Sequence, residues 1–424
     1  MANASSDESF KLARYYAQRR AIPEENIVAL PMTLAETIGW REFVDTVYQP
    51  LQDELVRRGW IDATGSDLKD SVGRKKYAVL GHRMSYLAVC RGVPLRVDHD
   101  QALYVEMSPL MNSAFKTNHG AVDAELALVV RSGYPINAYV PNPLFQKDRP
   151  TVIDQNKVVK VSRLDGPGID ASMALVDHAI EAERRGLIGR AYVDVGGPHA
   201  EGDQWMENVV KQLTALDYDM SVDRTQDVMS AEARFDAPAL YFGWYTGNVA
   251  GPFTRPDFRF PPGAVALHIH SFSAETLNSV DKHWCGPLVA RGVTATVGNV
   301  YEPYLTFTHH PHLLLRALAR GETWGDAVFY ALRGLSWQCV AIGDPLYRPF
   351  KVRFSEQWAK RAELPDELYP YLILRDARRL EQAGQPEQAI DVLREALKQR
   401  PAMAVLEARL KELADLPQGK SAPP

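Results

Sequence analysis

The chain has 424 residues, 46% apolar and 24% charged, enough to bury a large core and, as a soft prior, to form about two to three domains. Lys and Arg number 48 against 53 Asp and Glu, and the net charge of −5 comes with no basic block, so the electrostatic footprint of a nucleic-acid binder is missing. No apolar run approaches the ~18 residues of a membrane span, and the three cysteines, Cys90, Cys285 and Cys339, stand far apart in no metal spacing and in an odd number, which argues against a disulfide framework.

The first residues, Met-Ala-Asn-Ala-Ser-Ser-Asp-Glu-Ser, read as a loop entering a helix, without a signal peptide; a first strand or targeting segment is expected to be missing from this start. An amphipathic helix is predicted over residues 9–20, with Leu12, Tyr15 and Tyr16 on one face. A short strand follows at 26–30, and Thr33 and Glu36 have the spacing of a capping box. A longer helix is predicted over 41–58, kinked or split by Pro50. Strands are expected at 77–81 and 86–90 and a helix at 122–130; the stretch around Asn142-Pro143 and 148–150 reads as loop.

From residue 158 the pattern alternates strand and helix. Strands are predicted at 158–161, 191–195, 237–243, 264–269, 293–297 and 337–342, with helices at 170–185, 203–216, 276–280, 284–291, 312–320 and 324–332. Asp170 and Asp203 are read as helix caps. Such alternation predicts an α/β fold, a mostly parallel sheet with helices on both faces, caspase-like or doubly wound. The α/β unit is expected over 1–360, with a possible subdomain break near 150. In the tail, Ile373, Ala377, Leu380, Gly384, Ala389, Leu393, Ala396 and Pro401 follow the spacing of one tetratricopeptide repeat, so a small helical unit is expected over 365–415 and a disordered end over 416–424. One repeat cannot bury its own face, which predicts docking on the main domain or a longer array.

Ligands of open α/β sheets bind at the carboxyl ends of strands. Asp165, Asp194, Trp244, His270, Asn299 and Asp344 all follow or end predicted strands and are expected to share one rim. The stretch Gly263–Ala274, GAVALHIHSFSA, carries the densest polar cluster. His268 and His270 lie on one face of a strand, as metal ligands or as hydrogen-bonded core residues. Ser271 is a candidate nucleophile or the cap of a following helix. Asp194, an acid among apolar neighbours, and Glu302, in Tyr-Glu-Pro-Tyr, are candidate site carboxylates; Asp344 could anchor a base or cap a turn, and Asp165 could serve a turn. Trp244-Tyr245 could stack on a ligand ring or cover the core. His309, His310 and His312 read as a surface loop group, and Cys285 as a buried small residue or a thiol at a helix start. The glycines form neither GxGxxG nor a P-loop, so no nucleotide and no other cofactor is expected.

The segments Arg-Leu-Asp-Gly-Pro (163–167), Gly-Trp-Tyr (243–245), Gly-Pro-Phe (251–253), His-Ile-His-Ser-Phe-Ser-Ala (268–274), Gly-Asn-Val-Tyr-Glu-Pro-Tyr-Leu (298–305) and Gly-Asp-Pro-Leu-Tyr-Arg-Pro-Phe (343–350) resemble, across about residues 3–350, an uncharacterised bacterial family found in genomes with the PEP-CTERM/exosortase sorting system. That resemblance implies export, to the periplasm or beyond, and no activity. The chain is also distantly similar to gingipain-type cysteine peptidases of caspase-like fold. Tyr241-Phe242-Gly243-Trp244-Tyr245 matches their Tyr-x-Gly-His-Gly pattern with Trp244 at the histidine, Ser271 falls at the cysteine, and Gly343-Asp344-Pro345 matches a late Gly-Asp-Pro. The resemblance implies the fold without the cysteine-peptidase dyad. Two readings follow. In one, a hydrolase-like domain has a rim in which Trp244, Tyr245, Asp165, Asp194 and Asn299 bind a peptide or other extracellular ligand, with His270, Ser271, Glu302 and Asp344 as catalytic candidates. In the other, a non-catalytic binding or assembly protein docks a protein partner through its tail.

Overall fold

The computed structural model describes residues 1–104 and 112–415; the end expected to be disordered, 416–424, lies outside them. Eight strands make the central sheet: β1 (Tyr86–Cys90), β2 (Lys160–Leu164), β3 (Arg190–Asp194), β4 (Met220–Asp223), β5 (Pro238–Trp244), β6 (Val265–Ile269), β7 (Ala295–Asn299) and β8 (Cys339–Gly343). Their order across the sheet is β4-β3-β5-β6-β7-β8-β2-β1. Strands β3, β5, β6, β7 and β8 are buried along their whole length, which is why they read in the sequence as short apolar runs. Neighbours from β4 through β7 pair in parallel, as do β1 and β2. Strand β8 pairs antiparallel with β7, setting Gly343 opposite Ala295 and Cys339 opposite Asn299.

The connecting helices are α1 (Asp7–Arg19), α2 (Ile169–Arg185), α3 (Ala200–Ala215), α4 (Cys285–Ala290), α5 (Pro311–Ala319) and α6 (Trp324–Ala331). They cover both sheet faces, as the period of two in β6 shows. Val265, Leu267 and Ile269 join Trp205 and Met206 of α3 and Leu314 of α5 in one apolar cluster. Ala266 joins Leu12 and Tyr16 of α1, Leu175 and Val176 of α2 and Leu288 of α4 in the other. The first cluster takes in Leu55, Leu126 and Leu144 together with Val159, Leu267 and Tyr347, so the core continues through residue 150.

Several local expectations change for physical reasons. Thr33 and Glu36 cap no helix: Thr33 Oγ1 accepts from the Ala35 N–H, and Glu36 Oε1 accepts from the Leu277 N–H at 3.1 Å, across 241 residues. The helix around Pro50 changes type just before that residue. It passes through a π-helical segment, Phe43–Tyr48, and resumes as Gln49–Arg57. The wider turn ends beside Pro50, whose missing N–H would leave an α-helical carbonyl unpaired. The 122–130 stretch is helical only over Val122–Leu126. Gly168, at φ 112°, holds the cap position of α2, with Asp170 inside its first turn. The two-stranded hairpin Ile61–Lys69 with Lys75–His82 went largely unforeseen, because Asp62 to Lys69 is polar and mostly exposed.

The tail forms three helices, α7 (Tyr369–Gln382), α8 (Pro386–Gln399) and α9 (Ala404–Ala414). Ala377, Ala389 and Ala396 are buried in one cluster with Leu380 and Leu393, and that cluster also holds Ile188 of the main domain. Arg375 of α7 donates to the Leu216 carbonyl at 2.9 Å and lies over the Tyr218 ring at 4.3 Å, so the tail is docked.

Candidate functional site

The carboxyl end of β6 carries the site. Past Ile269 the chain leaves the sheet through turns over residues 271–274, with Phe272 at φ 59°. No helix forms over 276–280, so Ser271 is not a helix cap. Its hydroxyl instead donates to Glu302 Oε1 at 2.9 Å, a contact spanning 31 residues. Glu302 stands on the turn after β7, between Asn299 and Tyr304, the latter at φ 65°. Two non-glycine residues in the left-handed region flank one polar pair, a distribution of backbone strain common at ligand sites.

His270 does not serve the Ser271 hydroxyl. Its Nδ1 lies 2.5 Å from the Ser271 carbonyl, which can only accept, so Nδ1 is the donor of that contact. The half-exposed Tyr245 ring packs against it with centroids 5.1 Å apart, and His199 stands edge-on to Tyr245 at 5.8 Å. Asn299 is buried and works from behind: its Nδ2 donates to the His270 carbonyl at 2.9 Å, and its Oδ1 accepts from the Cys339 thiol. The structure therefore brings together Tyr245, His270, Ser271, Asn299 and Glu302.

Trp244 does not join them. It is 3% exposed, and its indole N–H donates to Asp203 Oδ1, which also accepts from the N–H groups of Gly196 and Gly197. A Cβ on Gly197 or Gly202 would fall 2.1 or 2.0 Å from the indole, so these two glycines form its slot. Asp203 thus ties the β3 loop to the end of β5 and caps no helix. Trp244 is a wedge, not a ligand face.

Asp344 lies elsewhere. Because β8 runs against β7, the end of β8 reaches the opposite sheet edge from Asn299. There Asp344 accepts from the Tyr16 hydroxyl at 2.7 Å and from Arg20 Nε at 2.5 Å, fastening α1. The expected single rim assumed that every strand ran the same way. Asp165 also serves structure: it holds the fully buried Arg163 together with Asp123, whose two oxygens take Arg163 Nε and Nη2 at 3.0 and 2.6 Å.

Asp194 is 1% exposed, with Oδ2 unpartnered. Burial, and secondarily the charge of Asp223, push its carboxyl up to about 8, so it is protonated at neutral pH. It lies beneath Gly243, where a Cβ would meet the Tyr241 hydroxyl at 2.1 Å and the Asp194 Cβ at 3.2 Å. Tyr241 in turn contacts His268 Nδ1 at 2.9 Å, while the Thr246 N–H donates to His268 Nε2 at 2.9 Å. His268 stacks on Trp284 at 3.7 Å, and burial holds it neutral. It is a core histidine that fixes the strand-to-loop turn after Trp244. The sequence signal for that role was its position on the same face as His270; Tyr241, Thr246 and Trp284 carried none.

The second histidine group is not on the surface. His309 and His310 are buried, His310 stacks on Trp205 at 4.0 Å, and burial lowers His309 to about 3 and His310 and His312 to about 4. Cys285 is buried with its thiol pushed up to about 12, which makes it inert. Among the described residues no group of three or more His, Cys, Asp or Glu could hold a metal ion, and no helix is long and apolar enough to cross a membrane. Compared with protein-family models, curated proteins and solved structures, the chain shows no significant match.

Proposed function

We propose that the surface formed by Tyr245, His270, Ser271 and Glu302 binds an extended peptide or comparable extracellular ligand on a hydrolase-like scaffold without a cysteine-peptidase dyad. The observation that carries this reading is the state of Trp244. Where the gingipain-type pattern has its histidine, an indole is locked between two glycines and Asp203, so no base stands there. What is at least partly exposed is an aromatic ring, an imidazole and a Ser–Glu pair, groups suited to stacking and hydrogen bonding. The strand order β4-β3-β5-β6-β7-β8, with β8 antiparallel to β7, supports a caspase-like arrangement. The small residues where α7 and α8 meet support a tetratricopeptide-like tail that takes a protein partner. Panning a random peptide library on the full chain tests the reading. Enriched peptides should bind wild type and weaken about tenfold or more with Tyr245→Ala, the size of loss typical of an aromatic anchor; peptides indifferent to Tyr245→Ala and Glu302→Gln would refute it.

A second reading, a serine hydrolase with Glu302 as base, is favoured by one observation, the 2.9 Å contact between the Ser271 hydroxyl and Glu302. That distance meets the geometric requirement for a nucleophile and its base. No histidine completes the pair: among the described residues the Ser271 hydroxyl contacts Glu302, and the His270 ring meets the Ser271 carbonyl instead.

A further inference from the structure

At the sheet edge opposite Ser271, a cavity of about 590 Å³ opens between α1, the 22–28 loop, the end of the helix Gln49–Arg57, edge strand β1 and Pro345-Leu346. Its volume lies within the ~300–1,000 Å³ of small-molecule sites. The walls are apolar, built by Ala17, Val28, Leu55, Trp60, Met84 and Leu87. The polar end is one-sided in charge: Arg58 and Arg83 line the cavity and no carboxylate does. Arg58 is already committed, donating to Glu54 Oε1 at 2.6 Å and to the Glu25 carbonyl, and lying 5.3 Å over the Trp60 ring. Arg83 differs. Its backbone N–H donates to the Trp60 carbonyl at 2.9 Å, which fixes its place at the mouth, while its guanidinium makes no hydrogen bond or ion pair among the described residues. The exposed Asn26 and Ser85 stand at the same mouth.

The geometry points to a binding site for an anionic amphiphile, a straight hydrocarbon chain in the cavity with its carboxylate on Arg83. Small side chains on α1, Ala13 and Ala17, leave the room a chain needs, and apolar walls favour a chain over a polar ligand. The guanidinium, uncompensated among the described residues, at the mouth of an apolar cavity selects for a negative head, because a charge-assisted pair to carboxylate is bidentate and strong. Asp344, one residue before the cavity wall at Pro345, is kept out of the cavity by Tyr16 and Arg20, which take both of its oxygens. The site is independent of the surface around Ser271.

Isothermal titration of the full chain with octanoate, decanoate and dodecanoate, each below its micelle concentration, tests this. One saturable site is expected, tightening about fourfold per added methylene until the cavity fills, the ratio equivalent to ~0.8 kcal/mol per buried CH₂. Dodecanol in place of dodecanoate, and Arg83→Ala with dodecanoate, should each weaken binding about tenfold or more. Ala17→Phe, which fills the cavity, should abolish binding; Arg83 is exposed, so Arg83→Ala keeps the fold and gives an answer even where Ala17→Phe does not fold. Absence of saturable binding, equal binding of dodecanol and dodecanoate, or binding unchanged in both variants would overturn the assignment.

Discussion

Asp194 shows how much one buried oxygen can decide. Its carboxyl titrates near 8 in the fold because burial, then Asp223, penalises the anion, against about 3.9 in an unfolded chain. Between those values the unfolded chain has lost a proton that the folded chain keeps, so this group's contribution to stability falls as pH rises from about 4 to about 8 and is flat above. Asp194→Asn removes the titration. The variant should gain on wild type in urea midpoint as pH rises across that window, with a constant difference above pH 8; a gap independent of pH would refute the shift. Arg163 makes the opposite point. It is fully buried and, among the described residues, satisfied only by Asp123, Asp165 and two backbone carbonyls. Removing Asp123 takes away two charge-assisted hydrogen bonds and leaves only the 3.2 Å contact to Asp165 as counterion among the described residues, so Asp123→Ala should cost about 3 kcal/mol in equilibrium unfolding. In the sequence Asp194 stood out as an acid among apolar residues. The Ser271–Glu302 contact did not, because 31 residues and the whole of β7 separate its partners.

At the scale of elements, strands were legible where both faces are buried, as in β3, β5 and β6, since continuous apolar runs bounded by glycine leave few alternatives. Direction was not legible. Nothing local to Cys339–Gly343 tells that β8 opposes β7, and this alone moves Asp344 from the expected rim to the α1 edge. The polar hairpin and the absent helix over 276–280 escaped for the same reason: their conformation comes from tertiary hydrogen bonds, such as Glu36 to the Leu277 N–H, and not from periodicity. The packing of α3 on β5 depends on an element-level fit of glycine to indole. Gly202→Ala would drive a methyl to within 2.0 Å of the Trp244 ring, and should cost about 1–3 kcal/mol by thermal or chemical unfolding. An unchanged stability would mean that Trp244 is free to leave its slot.

Over the whole molecule, a doubly covered sheet holds two separate surfaces: an aromatic and polar patch at the end of β6, and an apolar cavity behind α1 with a guanidinium that is unpaired among the described residues. The tail packs on the sheet domain through a cluster of its own, since α7 is buried with Ile188 and lays Arg375 on Tyr218. A chain ending at residue 364 should therefore melt roughly 5 °C or more below the full chain and bind a hydrophobic dye, whereas unchanged melting would show the tail to be independent. The account stands mainly on the claim that Ser271 sits in a recognition surface and that Glu302 binds its hydroxyl without activating it. Labelling with a fluorophosphonate probe, read by intact mass on wild type beside Ser271→Ala and Glu302→Gln, measures this directly. The predicted result is no labelling of wild type above that of Ser271→Ala between pH 4 and pH 9. Stoichiometric labelling of wild type that both substitutions abolish would contradict it and make Ser271 a nucleophile with Glu302 as its base.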